Sequence, residues 1–396
     1  MTLLAWVLIA IPTVLGLYAY LGYPLLLRTL AAGRPSPVPA RDPPEWPLIS
    51  ISLPAYNEET SIRATLEALL ALDYPADRRQ ILVISDASSD GTDGIVREFA
   101  DRGVELVRLS NRSGKTAAEN AAAVHFRGEI VVNTDATIRI PPPSLKPLIR
   151  VFQDRTIGVA SGRDVSVGRA DAETNRGESN YVGYEMGIRR LETRVGSIVG
   201  ASGCFYAIRR ELVSGLFPEA LSRDFASPLT AREAGFRTVS VDEAICYVPR
   251  TASLQSEFNR KVRTMARGLE TLWYKRALAN PAAYGSFAWM LLSHKLCRWL
   301  VHLTLPLALV GLGLLAMVEP VAMALLIAVI VIVAVGGIAL RWPAGRHMPL
   351  FVGLSGFLVA VNLAALLAWT KALRGERNPI WEPTRRPNTE GVGSPT

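Results

Sequence analysis

Charge is spread so unevenly along the 396 residues that one folded class cannot accommodate the whole chain. Residues 1–27 carry no charged side chain, and residues 286–370 carry only Lys295, Arg298, Glu319, Arg341 and Arg346. The stretch between them holds 34 of the 43 Lys and Arg and 31 of the 35 Asp and Glu. A charged globule is thus bracketed by apolar ends long enough to cross a bilayer, which takes about 20 residues. That excludes a disordered chain, a coiled coil, a small disulfide scaffold and a simple soluble enzyme. The net charge of +8 divides into +3 from the middle, +3 from 286–370 and +2 from 371–396. A nucleic-acid binder gathers its basic excess on its soluble part. Here most of it flanks the apolar segments, so nucleic acid is not expected as a partner and contact with a cytoplasmic leaflet is. Cys204, Cys246 and Cys297 are scattered, with no Cys-x-x-Cys, which argues against zinc or a disulfide framework and for a reducing compartment.

The organisation follows from this pattern. Residues 3–27 read as a transmembrane anchor; a signal peptide would want a basic start and a shorter apolar core. Residues 28–47 are a stiff, proline-rich linker. From residue 48 short apolar runs alternate with helical spacing: strands over 48–53, 81–85, 104–109 and 129–133, helices over 58–72, 90–100 and 115–125. Strands without alternation, separated by helices, predict an α/β fold with a mostly parallel sheet covered on both faces. Ligands of such sheets bind beyond the strand C-termini, where Asn57, Asp86, Asn111 and Asp135 stand. Further on, 177–195 reads as a helix, 198–208 as a strand after Gly200 and Gly203, 225–234 as a helix and 236–241 as a strand. Residues 254–278 form a basic amphipathic helix with Arg260, Arg263 and Arg267 on one face. Residues 286–298 mix aromatic and basic side chains and read as an interfacial helix. Three spans over 299–370 and a basic tail over 371–396 complete the chain. The flanking charges put the globule inside, yet three later spans put the basic tail outside.

The strand ends carry the chemistry. Asp86, in Ile84-Ser-Asp86-Ala-Ser-Ser-Asp90-Gly, can accept from a uracil N–H or a ribose hydroxyl; Asp90 reads as a turn and cap residue. Gly114-Lys115-Thr116 suggests a triphosphate loop, but the glycine required five residues before Gly114 is Leu109. A lysine at a helix start still holds a diphosphate through charge and dipole. Asp135, in Thr134-Asp135-Ala-Thr137, either caps a turn or offers a carboxylate oxygen to a hard divalent ion. Asp224 stands where a helix starts and reads either as a cap or as an acid with work to do. Arg260 and Arg263 form either a solvated edge or a bidentate phosphate contact.

In this order, Pro54-Ala-Tyr-Asn57-Glu58, Ser85-Asp86-Ala-Ser-Ser-Asp90-Gly-Thr92, Gly114-Lys115-Thr116, Thr134-Asp135-Ala-Thr137, Gly200-Ala-Ser202-Gly203-Cys204-Phe205, Ser222-Arg-Asp224-Phe225 and Arg260-Lys-Val-Arg263 resemble the membrane-bound family 2 glycosyltransferases, the group of cellulose, chitin, hyaluronan and poly-N-acetylglucosamine synthases. The resemblance covers 48–278 and the ending Trp381-Glu-Pro-Thr-Arg385-Arg386. It implies an A-type glycosyltransferase fold and a nucleotide-sugar donor, most often a UDP-sugar. It implies donor contacts at Asn57, Glu58, Asp86, Lys115, Asp135, Arg260 and Arg263, and an acceptor lined by Ser202, Gly203, Cys204 and Phe205. It implies Mg2+ or Mn2+ on Asp135 and a general base at Asp224. Thr137 replaces the second aspartate of Asp-x-Asp. The Gln-x-x-Arg-Trp motif of processive synthases keeps only Arg263, with Arg260 and Thr264 in the other places, which favours single transfer. So few spans argue against a self-contained channel and for a lipid-linked acceptor, or a glycan exported with partner proteins, at the cytoplasmic face of the inner membrane. Two other classes compete. A sensor or subunit that binds nucleotide sugar without catalysis fits Thr137. A nucleotidyltransferase would want a glycine-rich loop after the first strand, where Pro54-Ala-Tyr-Asn57-Glu58 stands instead.

Overall fold

Seven strands form one sheet in the order β3-β2-β1-β4-β6-β5-β7. The fold is that of a computed structural model, which describes residues 1–35, 41–167, 174–213, 215, 217–249, 254–343 and 348–376. The strands are β1 (Ile49–Ala55), β2 (Arg79–Ser85), β3 (Val104–Arg108), β4 (Ile130–Thr134), β5 (Ile157–Val167), β6 (Phe205–Arg209) and β7 (Arg237–Pro249). β1 pairs in parallel with β2 and β4, and β2 with β3. β6 runs antiparallel to both β4 and β5, and β5 is parallel to β7. The sheet is therefore mostly parallel, with one reversed strand beside its centre.

The helices of the globule are α2 (Ile62–Leu70), α3 (Thr92–Arg97), α4 (Lys115–Ala122), α5 (Leu145–Arg150), α6 (Thr174–Val195), α7 (Arg223–Glu233) and α8 (Leu254–Tyr274). One face of the sheet offers Ile49, Ile51, Leu53, Ile81 and Val83 to Leu66 and Leu69 of α2 and Leu145 and Leu148 of α5. The other offers Leu82, Ile84 and Val131 to Ala118 and Ala122 of α4. Covering both faces is what removes the polar alternation from β2. On β1 the second face is instead serine. Ser50 donates to Gln80 at 2.6 Å and accepts from Gly128 N at 2.8 Å, which satisfies a hydroxyl that would be costly to bury alone. The close approach at Gly128 is backbone on backbone: a Cβ there would lie 2.4 Å from Ile49 C and Ser50 N.

The strand expected after Gly200 and Gly203 is β6, and the residues before Phe205 form a loop. β5 is a strand that no sequence pattern announces. Its second half is Arg163-Asp-Val-Ser-Val, partly exposed, and it is a strand because β7 pairs with it to Val167.

Four helices are long and apolar enough to cross a membrane: α1 (Thr2–Ala31), α9 (Ser286–Ala316), α10 (Pro320–Ala339) and α11 (Leu350–Leu373). The first covers the predicted anchor and the start of the linker. The predicted interfacial helix over 286–298 is not a separate element. It continues through a π-helical turn at Leu292–Cys297 into the span that follows. Its polar groups face protein. His294 reaches Glu192 at 2.7 Å and Glu185 at 3.0 Å, and Arg298 reaches Glu185 at 2.9 Å. Both carboxylates belong to α6, so the polarity of this segment answers buried partners rather than headgroups. Burial opposes the charge of Glu185, but His294, Lys295 and Arg298 hold its carboxyl well below the usual range. The tail beyond Glu376, with Trp381, Arg385 and Arg386, lies outside the described residues.

Gly128→Ala is expected to cost about 1–3 kcal/mol of stability through overpacking, read as a lower unfolding temperature of the purified protein. Gly94→Ala, with nothing within 4 Å of the new methyl, is the control expected to leave it unchanged or raised.

Candidate active site

The C-terminal ends of β1, β2, β3 and β4 release the chain into loops that carry Asn57, Asp86, Asn111 and Asp135, as the strand pattern predicts. The first two are used to join loops. Asn57 has a positive φ of 52°, a conformation that asparagine tolerates better than most residues. Its Oδ1 accepts from Ser89 N at 2.8 Å. Glu58 is buried, accepts from the Ser61 hydroxyl at 2.7 Å, and its N–H donates to Thr92. Asp86 is 2% exposed and accepts from Ser113 N at 2.7 Å and Gly114 N at 2.8 Å. Gly114, at φ 93°, turns the chain directly into α4. Asp86 thereby fixes where α4 begins, and with it the position of Lys115. Each of its oxygens keeps a second lone pair for another donor.

Lys115 Nζ lies 2.5 Å from Asp135 Oδ1 and 3.4 Å from the carbonyl of Gly203. Burial works against the lysine's charge, but Asp135 and then Glu119 hold its pKa well above the ordinary value. It stays a cation across the whole physiological range. Glu119, 1% exposed, lies 3.5 Å from Arg223, and its carboxyl is pushed up by burial although Lys115 and Arg223 oppose this. Glu119 belongs to none of the sequence motifs; its only sequence signal is a charge in the helix that starts at Lys115.

Gly203 joins this cluster to Asp224. A Cβ on Gly203 would lie 3.2 Å from Asp224 Oδ2, so the backbone there meets the carboxylate directly. Asp224 does not cap α7. Ser222 holds the cap position and its hydroxyl donates to Asp224 Oδ1 at 2.6 Å, while Asp224 stands in the first turn, half-buried. Its second oxygen faces the loop.

The segment predicted to line an acceptor divides. Ser202 is fully buried; its hydroxyl donates to Asp164 at 2.5 Å and accepts from the N–H groups of Cys204 and Phe205. Phe205 is also fully buried and packs in the core where Gly162 leaves room. Gly203 and Cys204 are partly exposed. Ser202 and Phe205 shape the turn, and its exposed surface comes from Gly203 and Cys204.

The arginine face of α8 also divides. Arg260 places Nε and Nη2 on the two oxygens of Glu257 at 2.9 and 2.6 Å, an in-helix pair. Arg267 is the arginine that reaches the site. Its Nη2 donates to Thr116 Oγ1 at 2.9 Å and to the carbonyl of Leu221 at 2.5 Å. Burial lowers its pKa, and Asp224, Glu119 and Glu270 counter this. Arg263 lines a cavity beside it.

Among the described residues no cluster of three or more His, Cys, Asp or Glu could hold a metal alone. The set fits a different kind of ion site. Mg2+ is commonly held by one or two carboxylates together with substrate phosphates and water, and Asp135 provides one such carboxylate beside a permanent cation.

Residues 50–217 match the family model Glycosyl transferase family 2. The chain is 26% identical over 232 residues to an N-acetylglucosaminyltransferase of Mesorhizobium japonicum, covering 53% of this chain and 54% of that protein. It is 27% identical over 147 residues to a beta-monoglucosyldiacylglycerol synthase of Synechocystis sp., covering 36% and 30%. The chain spans about half or less of the length of these curated relatives. A mannosyltransferase of Pyrobaculum calidifontis, solved in complex with GDP-Man and Mn2+, superposes with a TM-score of 0.72 at 24% identity, over 93% of this chain and all of that one. That likeness fixes the fold.

Asp86→Ala leaves two N–H donors without their acceptor. A loss of about 1–3 kcal/mol in the donor-free protein is expected, measured by thermal or denaturant unfolding.

Proposed function

The chain carries a family 2 glycosyltransferase domain, and we propose that it moves a sugar from a nucleotide-sugar, a UDP-sugar, to a hydroxyl of a lipid-linked or glycan acceptor at the cytoplasmic face of the cell's inner membrane. The observation that carries this reading is the convergence on Gly203. Lys115, a fixed cation, reaches its carbonyl from one side, and Asp224, a carboxylate not used as a cap, faces it from the other.

The chemistry assigns each group a task. An acceptor hydroxyl is a weak nucleophile and needs a base within hydrogen-bond reach. Asp224 takes its proton as the hydroxyl oxygen attacks the anomeric carbon. The bond from that carbon to the diphosphate oxygen breaks on the opposite face, and its electron pair leaves with the diphosphate. Lys115 and Arg263 stabilise that growing charge, with Arg267 beside them, in a partly dehydrated site where such charges act strongly. Arg260 pairs with Glu257, whereas Arg267 of the same helix reaches Thr116, the neighbour of Lys115. Attack from the opposite face inverts the anomeric centre, so an α-linked donor gives a β-linkage. Asp135 would hold Mg2+ or Mn2+; the ion, when bound, supplies neutralisation of the diphosphate. Asp86, with Asn57 and Glu58 behind it, lies where the base and ribose of the donor are recognised.

Two variants test the assignments separately. Asp224→Asn is expected to lose about 100-fold or more in turnover while binding nucleotide normally; near-wild-type turnover would remove it as the base. Asp135→Ala is expected to weaken nucleotide binding and to abolish its dependence on added Mn2+, followed by titration calorimetry. A metal response that survives in this variant would take the ion off Asp135.

A further inference from the structure

A cavity of about 1040 Å³ lies between α8, the first turns of α9 and the last turns of α11. It exceeds the roughly 300–1,000 Å³ usual for small-molecule pockets. One wall is apolar, with Leu269 of α8, Leu292 and Leu296 of α9 and Leu367 of α11. Arg263, Arg267, Glu270, Arg276, Lys371 and Glu376 line it as well. The depth of this cavity follows from its walls. α8 contains Glu257, Arg260, Lys261, Arg263, Arg267 and Glu270, too many charges for hydrocarbon, whereas α9 and α11 are of membrane-crossing length and composition. The three meet where headgroups give way to acyl chains.

The Arg267 part of the lining adjoins the site already described. Arg267 lines the cavity, and its guanidinium ends on Thr116, the neighbour of Lys115, and on Leu221, three residues before Asp224. We propose that the cavity takes the apolar chain of a membrane lipid whose free hydroxyl is the sugar acceptor. This rests on the transferase reading above and names the class of its second substrate. The leucines of the lining give an acyl chain apolar surface to bury against, and the charged side chains among them give a lipid's polar head its partners. The head end directs the lipid's hydroxyl toward Asp224, whose role as base has a purpose only for an unionised oxygen. A phosphate acceptor would arrive already ionised and place more negative charge beside Asp135 and Asp224.

The test uses the full chain in lipid nanodiscs. Ala266, on the α8 wall, is changed to Trp to fill the cavity; Ala372→Phe fills it independently from α11. The KM for dispersed diacylglycerol is expected to rise by about tenfold or more, equivalent to about 1.4 kcal/mol or more, with the Kd for the nucleotide unchanged. A diacylglycerol carrying a diazirine on its chain is expected to label α8 and α11 of the wild-type protein without donor, and Ala266→Trp to remove the label. If diacylglycerol is glycosylated but neither variant changes its KM or the labelling, the cavity is not the lipid's site, while the transferase reading stands. If polyprenyl phosphate or a soluble glycan is glycosylated and diacylglycerol is not, the hydroxyl-lipid proposal is overturned. If no acceptor raises nucleotide release, the transferase reading itself fails.

Discussion

The buried carboxylates Glu185 and Glu192 set where the globule stands on the long apolar helices. Both lie on α6, and their partners His294, Lys295 and Arg298 lie on α9, so the ion cluster joins the globule to an apolar helix. Tyr23 of α1 donates to Glu192 at 2.5 Å, which brings the first apolar helix into the same cluster. Removing one member of such a buried set typically costs about 3–5 kcal/mol, because the remaining charge is left uncompensated. The cluster also reaches the site. Lys295 packs against Gly200, where a Cβ would lie 3.3 Å from its Cε, and its ammonium stands 5.7 Å from the ring of Phe225, the residue after Asp224. The position of Asp224 is thereby tied to a residue in α9.

From that anchoring the site follows by short steps. β1, β2 and β4 run in parallel and end together, Asp86 pins the start of α4, and α4 presents Lys115 to Asp135. α7 enters from the other side with Asp224. α8 then ties back through Arg267 and borders a cavity shared with α9 and α11. A donor in the strand-end crevice and an acceptor from the bilayer would thus approach the same backbone segment, 203–204, from two directions.

The parallel half of the sheet was legible in the sequence because strands buried on both faces have no alternation to hide them. Their loop residues were legible for the same reason, as polar side chains following such runs. The rest needed tertiary partners. β5 carries arginine, aspartate and serine in its second half and is a strand only because β7 pairs with it. The arginine periodicity of α8 gave a shared face but not its neighbours, so Arg260, held by Glu257, could not be told from Arg267, held by Thr116 and Leu221. Residues 286–298 looked interfacial because polarity alone cannot distinguish a headgroup from a carboxylate about 100 residues away in the chain, as in the His294–Glu192 and Arg298–Glu185 pairs. The motif implies an acceptor-lining role for Ser202 and Phe205, whereas both are fully buried and shape its turn.

One displacement, on the face opposite a departing diphosphate, is assigned to the Lys115–Gly203–Asp224 cluster. The anomeric configuration of the first product tests this assignment, read by NMR from purified protein given a panel of α-linked nucleotide-sugars and membrane lipid. One nucleoside diphosphate is expected per sugar transferred, with the new linkage β. An α-linked product would contradict it, and so would the absence of nucleotide release with every donor.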